Sequence, residues 1–538
     1  MSNKPTFVEL FAGCGGTSLG LEAAGFSLLF ANEQSPMAAE TYAYNFLGEN
    51  LDEMAKSGGT PKKVFWIKSQ YPVTDLKARL KEDPRKAREV GVYSDLPKKV
   101  EEGSLLIGDI NRLLRRKEIL ADWIGKVDLV AGGPPCQGFS LAGLRQHDDA
   151  RNKLPYSFVE LATYLNPKVI LFENVLGILH RFINGDGKEH FAWFEVAKLF
   201  AQKGYVPLCA RINSCYLGLP QSRPRFIITA YRKDVLDTIL SSDIPREEED
   251  ILENATTFYN KVSAKENVVP DDLKILNNAP ESVRDYNACN LFPKATGVKY
   301  TVKSAIKDLS TNEDDTFFKP ISEIHGYPAH LLKVFDLNSP NRQGNSISIK
   351  NHERRAHSAL VRSRFRLLQL LQRANEETKQ SFATWFDGDS STEAEAVVVN
   401  FLENNNFFFD EEEGEIKERR TTKADLPWLL QKLRTKKHSQ KALVASRPAP
   451  TQVALPDDFC HYSLWQPRTL TVREVARIQT FPDWFEFRSK PTTGGANRKF
   501  QVPQYTQAGN AVPPLLAKLL GEHILKNLSA TSSTQAKD

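Results

Sequence analysis

The chain is poor in the features that staple or span. Six cysteines are scattered over 538 residues and no two stand as CxxC. That excludes a disulfide scaffold and the common spacing of a structural zinc site. No run of about 18 apolar residues occurs, so no transmembrane helix and no membrane association are expected. The opening MSNKPTFVELFAGCGG carries a glutamate inside its apolar stretch, unlike a secretory leader. A reducing, cytoplasmic setting is the expectation. There is no internal repeat. A dominant charge is missing too: 71 basic and 66 acidic residues leave +5, which permits a polyanionic partner without requiring one. Hydrophobic residues at 41% and charged residues at 25% match soluble globular usage and exclude wholesale disorder. At about 150 residues per domain, the length predicts two to four units.

What is present is an alternation. Short apolar runs at 6–11, 27–32, 105–107, 127–131, 169–172, 206–212 and 226–230 are interleaved with helix-like stretches. Nearly continuous apolar strands are buried on both faces. The pattern predicts an α/β fold with a doubly wound, mostly parallel sheet over 1–235. The Lys-rich stretch from 53 to 100 reads as an insertion over that sheet. From 236 to 464 the alternation fades, which predicts a second, smaller domain. Within it, 345–349 reads as a strand, 354–375 as an amphipathic helix, and the stretch near 403–415 as an acidic loop. Residues 465–528 regain order, and 529–538 read as a disordered tail.

Four constellations carry chemistry. In FAGCGGTSLG an apolar strand enters a glycine-rich turn and then a helix. Gly13, Gly15 and Gly16 allow a tight turn and close approach of a ligand. By itself such a turn is as consistent with plain chain geometry. Two acids tip the balance: Glu33 ends the next strand, suited to ribose hydroxyls, and Asp109 follows the third, suited to an adenine amino group. In AGGPPCQGFS, Cys136 follows a rigid Pro-Pro turn at a strand end, where a thiol is presented rather than packed. Most single cysteines are inert core residues, and the other five lack this setting. In VILFENV, Glu173 ends a buried strand, either as a helix cap or in service of a ligand. In QSRPRF, Arg223 and Arg225 share one face of a strand, either solvated or clamping a base or phosphate.

The ordered series FAGCGG, NE, GDI, GGPPCQGFS, ENV, QSRPR, RTLTVREVARIQTFPD and QAGNAVPP resembles that of the DNA cytosine-5 methyltransferases. The resemblance covers 1–235 and 446–525. It implies a Rossmann-like fold dependent on S-adenosyl-L-methionine, with a target-recognition domain and double-stranded DNA as substrate. It implies Cys136 as the nucleophile toward carbon-6 of a flipped-out cytosine and Glu173 as the partner of ring nitrogen-3. Arg225 would hold the cytosine oxygen, with Arg223 supporting the local geometry. It implies a cofactor site of Phe11, Gly13, Gly15, Gly16, Glu33, Asp109, Ile110 and Pro134, completed by Asn510 and Val512 as the end of the chain folds back on its beginning. Arg473 and Glu474 are structural expectations. No metal is called for. The compact organisation resembles the restriction-modification type, acting as a monomer alongside a cognate endonuclease.

The centre is where the resemblance weakens and charge speaks. Over 341–375 eight Lys/Arg stand against one acid, and 376–425 holds fourteen acids against five bases. Given a polyanionic substrate, phosphate contact is the expectation for Arg342, Lys350, Arg354 and Arg355, and DNA contact for Gln137 and Ser140. His352 and His357 read as polar contacts. Two alternatives stand beside the main reading. A transfer-RNA cytosine-5 methyltransferase would carry a Cys-Phe-Thr element, which is absent. A non-enzymatic DNA-binding regulator would lose the Pro-Cys or the cofactor glycines, and both are intact.

Overall fold

The computed structural model describes residues 4–85, 93–135, 153–183, 189–241, 249–288, 291–310, 316–335, 342–343, 345–387, 392–405, 424, 432–433, 440–452 and 455–535. Nine strands form the main sheet: β1 (Thr6–Leu10), β2 (Ser27–Glu33), β3 (Val64–Trp66), β4 (Ser104–Ile107), β5 (Leu129–Gly132), β6 (Val169–Val175), β7 (Tyr205–Asn213), β8 (Pro224–Arg232) and β9 (Ile275–Asn277). Their order is β9-β7-β8-β6-β5-β1-β2-β4-β3. Every pairing is parallel except those of β8, which runs antiparallel to both β6 and β7. The expected doubly wound, Rossmann-like architecture is thus present. Phe7, Val8, Leu10, Leu129, Val130 and Ile170 have no accessible surface, as strands covered on both faces require.

Helices follow the strands. α1 (Gly16–Ala24) starts at Gly15 and stops at Gly25, both with positive φ. α2 (Pro36–Tyr42) is capped by the Ser35 side chain and begins with proline, the residue best suited to that position. α3 (Leu154–Tyr164), α4 (Ala192–Gln202), α5 (Lys233–Leu240) and α6 (Glu249–Ser263) complete the first layer.

Four expectations need correction. The stretch 53–100 is not only an insertion over the sheet, since its residues 64–66 pair with β4 and form one sheet edge. The boundary at 235 falls too early, because α6 packs on the sheet and β9 pairs with β7 at the other edge. The helix expected over 354–375 is α9 (Ala359–Leu371), after α7 (Val302–Ile306) and α8 (Gly326–Val334). Its start is set by the Ser358 side chain, which accepts from Val361 N, while the residues before it are tied to other segments. The tail expected from 529 is helical to residue 535, since nothing after Gly521 is glycine or proline. The core of the acidic stretch, 406–423, lies outside the described residues.

The second unit is smaller. A three-stranded sheet of β10 (Phe317–Pro320), β11 (Arg342–Gln343) and β12 (Ser346–Ile349) has β12 at its centre. Its buried residues Ile347 and Ile349 join the main core rather than forming a separate one. A distinct aromatic core lies where α9 meets α10 (Glu376–Asp387) and α11 (Thr392–Asn404), with Phe382, Trp385, Val398 and Leu402 buried. α12 (Val472–Ile478) opens with a capping box between Thr471 and Glu474. α13 (Gln504–Asn510) and α14 (Pro514–Gln535) then return the chain to α1.

Candidate active site

The strand ends β1, β2, β4, β5 and β6 point to one edge of the sheet, and the motif residues meet there. After β1 the backbone at Phe11 enters the left-handed region, φ 58°, a strained state for a bulky side chain. Gly13 and Gly15 also have positive φ. A Cβ on Gly13 would meet nothing within 4 Å, so the loop faces open space where a ligand fits. Glu33 brackets the loop: one carboxylate oxygen accepts from Gly13 N at 2.8 Å, the other from Ser35 N at 2.7 Å. Burial pushes its carboxyl above the usual range. Each oxygen retains a lone pair for a hydroxyl donor. The Glu33 carbonyl accepts from Gly108 N, which sets Asp109 beside it. Asp109 caps the short helix that follows, and Ile110 is buried. These groups fit an adenosine: two half-buried acids, an open glycine turn and no cation to repel a sulfonium among the contacts described for them.

The return of the chain closes this site. A Cβ on Gly16 would stand 2.3 Å from the Val512 carbonyl oxygen, and one on Gly20 would stand 2.3 Å from that of Pro514. Only glycine allows α1 to approach so closely. Cys14 is buried and its thiol donates to the Gln507 carbonyl in α13, at 3.6 Å. Burial raises its pKa far above the ordinary thiol value, so Cys14 is an inert packing residue. Asn510 is exposed and Val512 half-buried beside the loop.

The other side of the site is built from β5, β6 and β8. Cys136, Gln137 and Ser140 lie outside the described residues, but the turn leading to them does not. Asn174 Nδ2 donates to the Pro134 carbonyl at 2.9 Å and fixes the Pro-Pro turn. A Cβ on Gly133 would lie 2.8 Å from Glu173 Oε2, so the glycine lets the carboxylate rest against the segment that enters Cys136. Arg225 Nε lies 2.8 Å from Glu173 Oε1. Arg223 turns the other way: Nη1 donates to the Gln452 carbonyl at 3.3 Å, and Nη2 to that of Ala511 at 3.1 Å. Burial and the neighbouring Arg225 lower its pKa. Arg223 therefore positions chain segments, whereas Arg225 sits on the acid.

Lys350, Arg354 and Arg355 of the middle segment are engaged within the chain. Lys350 Nζ is 2.8 Å from Glu486, Arg355 Nη1 is 2.5 Å from Asp457, and Arg354 Nη2 donates to the Ser310 carbonyl at 3.0 Å. Arg342 lies in β11. His352 bridges Thr471 and the Leu309 carbonyl, and His357 meets Thr469. Arg473 and Glu474 are fully buried. Burial alone would raise Glu474, but the bidentate Arg468 guanidinium holds it below the carboxylate range.

Three contributors have no role in the sequence reading. Asn174, Gln221 and Gln479 stand inside the motifs ENV, QSRPR and RTLTVREVARIQTFPD, and that membership was the available signal.

The sequence pattern of the family described as C-5 cytosine-specific DNA methylase matches residues 5–64 and 98–526. The chain is 25% identical over 521 residues to the type II methyltransferase M.DdeI of Desulfomicrobium norvegicum, covering 96% of this chain and 88% of that one. It is 26% identical over 536 residues to M.XorII of Xanthomonas oryzae pv. oryzae, covering 98% and 85%. It is 25% identical over 533 residues to M.AgeI of Thalassovita gelatinovora, covering 96% and 98%.

Proposed function

Because the chain belongs to the C-5 cytosine-specific DNA methylase family, we propose that it transfers methyl groups through a covalent Cys136 adduct on a cytosine turned out of the duplex. The observation that carries this reading is the Glu173–Arg225 pair set against Gly133, three residues before Cys136. A stacked cytosine offers neither face to a thiolate, so the base leaves the helix at a cost of roughly a few kcal/mol. The Cys136 thiolate adds to carbon-6 of the ring. Glu173 hydrogen-bonds or protonates nitrogen-3, so charge does not accumulate there, and carbon-5 becomes the nucleophile. Arg225 holds Glu173 and the cytosine oxygen. S-adenosyl-L-methionine, when bound, supplies an electrophilic methyl group on sulfur. Once carbon-5 carries the methyl, loss of its proton and expulsion of the Cys136 thiolate restore the aromatic ring.

Phe11, Gly13, Gly15 and Gly16 hold the methionine end of the cofactor, Glu33 the ribose, and Asp109 with Ile110 the adenine. Pro134, Asn510 and Val512 border the transfer pocket. The recognition domain, from β9 to about residue 464 and including the basic patch around Arg342, Lys350, Arg354 and Arg355, faces DNA together with Gln137 and Ser140. Where their heads are already paired, phosphate competes for them. The similarity to type II methyltransferases supports a modification enzyme; an endonuclease of the same site as its partner, and action as a monomer, complete the proposal.

Bisulfite sequencing of host DNA after expression tests the substrate: modified cytosines should fall in one short motif. A duplex carrying 5-fluorocytosine at that motif should become covalently attached to the wild-type protein and not to Cys136→Ser. Attachment that persists in Cys136→Ser would overturn the mechanism.

A further inference from the structure

Four segments distant in sequence meet at one buried cluster of amides. Gln221 and Gln479 have no accessible surface. The backbone N–H of Gln452 donates to Gln221 Oε1 at 2.9 Å. Gln221 Nε2 donates to Gln479 Oε1 at 2.7 Å. Gln479 Nε2 in turn donates to the carbonyls of Ala508, at 2.7 Å, and Gly509, at 3.1 Å. Arg223 spans the same gap in one step, from the Gln452 carbonyl to that of Ala511. Two routes therefore join residue 452, which follows the short pairing of 449–450 with 221–222, to residues 508–511, which precede Val512 at the cofactor loop.

A side-chain amide is directional, with one acceptor end and one donor end. Each amide here uses both, so a shift at 452 passes along the row as a change in bond geometry at 508–509. Buried polar groups that lose their partners are costly, which makes the row hold or break as a unit. We infer that Gln221, Gln479 and Arg223 are positioning residues that couple segment 449–452, at the end of the proposed recognition domain, to segment 508–512 beside the glycine loop, so that duplex binding and cofactor binding strengthen each other. Linkage makes the effect reciprocal. The inference rests on the proposed recognition domain for its first half and on the proposed cofactor site for its second.

The test uses S-adenosylhomocysteine, the demethylated cofactor, as a calorimetric probe of the full chain. Its Kd is measured alone and with a duplex bearing the mapped motif. In wild type the duplex should tighten binding by about fivefold or more, within the range of known couplings. In Gln479→Met and Gln221→Met that ratio should fall toward one. A wild-type ratio of one, or a ratio unchanged in both variants, would overturn the coupling. Failure of wild type to bind the probe at all would instead overturn the cofactor reading. Hydrogen exchange on wild type keeps the idea testable if the variants do not fold. Duplex alone should slow exchange at 504–512, and unchanged exchange there would count against the relay.

Discussion

The Glu173 carboxylate and the Arg225 guanidinium form an ion pair at 2.8 Å, with side chains only 16% and 7% exposed. They belong to adjacent antiparallel strands, where Arg225 is registered against Val175 and Glu173 against Ile227. The sheet therefore fixes their meeting before any substrate arrives. An acid held this way at a strand end is oriented, and its second oxygen is turned toward the Gly133 backbone.

Glu173→Gln should keep the fold, since the amide oxygen can still accept from Arg225, but lower the methylation rate by about 100-fold or more. Arg225→Ala should also destabilise, because the acid loses its partner in a mostly buried site, by about 3 kcal/mol or less. Steady-state methylation and thermal unfolding of the two variants separate these effects. An active Glu173→Gln enzyme would remove the acid from the chemistry.

Gly16→Ala should push the Val512 segment away from the glycine loop, since the added carbon would overlap a backbone oxygen. A loss of stability of about 1–3 kcal/mol is expected, with weaker cofactor binding. Gly58→Ala provides the contrast, because it sits in open space at positive φ and touches neither segment. Equal cofactor affinity in Gly16→Ala and wild type would contradict the closure.

Asn174→Ala removes the bond to Pro134 and leaves a buried carbonyl unpaired. The turn before Cys136 should loosen, so kcat should fall while the cofactor Kd stays near the wild-type value. The stability cost should be about 1–3 kcal/mol. Titration calorimetry together with single-turnover rates checks both halves.

Glu9 sits in β1 beneath the loop, 2% exposed, accepting from Ser18 N at 3.0 Å and from the Ser18 hydroxyl. Burial pushes its pKa up to about 8 from the ordinary 4.5. The folded state therefore prefers the protonated acid. The stability this group lends is present in full below about pH 4.5 and is lost as the pH rises toward 8. The loss is at most about 1.4 kcal/mol per pH unit. Glu9→Gln should flatten the fall in Tm over that window. Parallel Tm curves for the two proteins would show that another group titrates.

Much of this was legible in the chain, and the misses have physical causes. Runs such as Val169–Phe172 announce themselves because strands covered on both faces need unbroken apolar residues. β3 and β9 do not, because three residues hold no period and both lie at sheet edges where pairing alone defines them. The 235 boundary failed for that reason. The meeting of the glycine turn with Glu33 and Asp109 at one edge of the sheet was legible because each follows an apolar strand. The role of Arg223 was legible only in outline, since its partners Gln452 and Ala511 are more than 200 residues away. The partners of Gln479 were hidden, because a donor serving the carbonyls of Ala508 and Gly509 leaves no mark in its own segment. The paired state of Lys350 and Arg355 was equally hidden, as composition counts charges and cannot see Glu486 or Asp457 folding onto them.

The contact of Gly16 and Gly20 with residues 512–514 has a bearing on how the protein is made. One half of that interface leaves the ribosome almost at once, and the other only after nearly five hundred more residues. The glycine loop must therefore wait, half walled, through most of translation. A polypeptide cut short before Val512 would hold every strand of the main sheet yet lack both the wall and the buried leucines of α14, so the last helix to emerge decides whether the core closes.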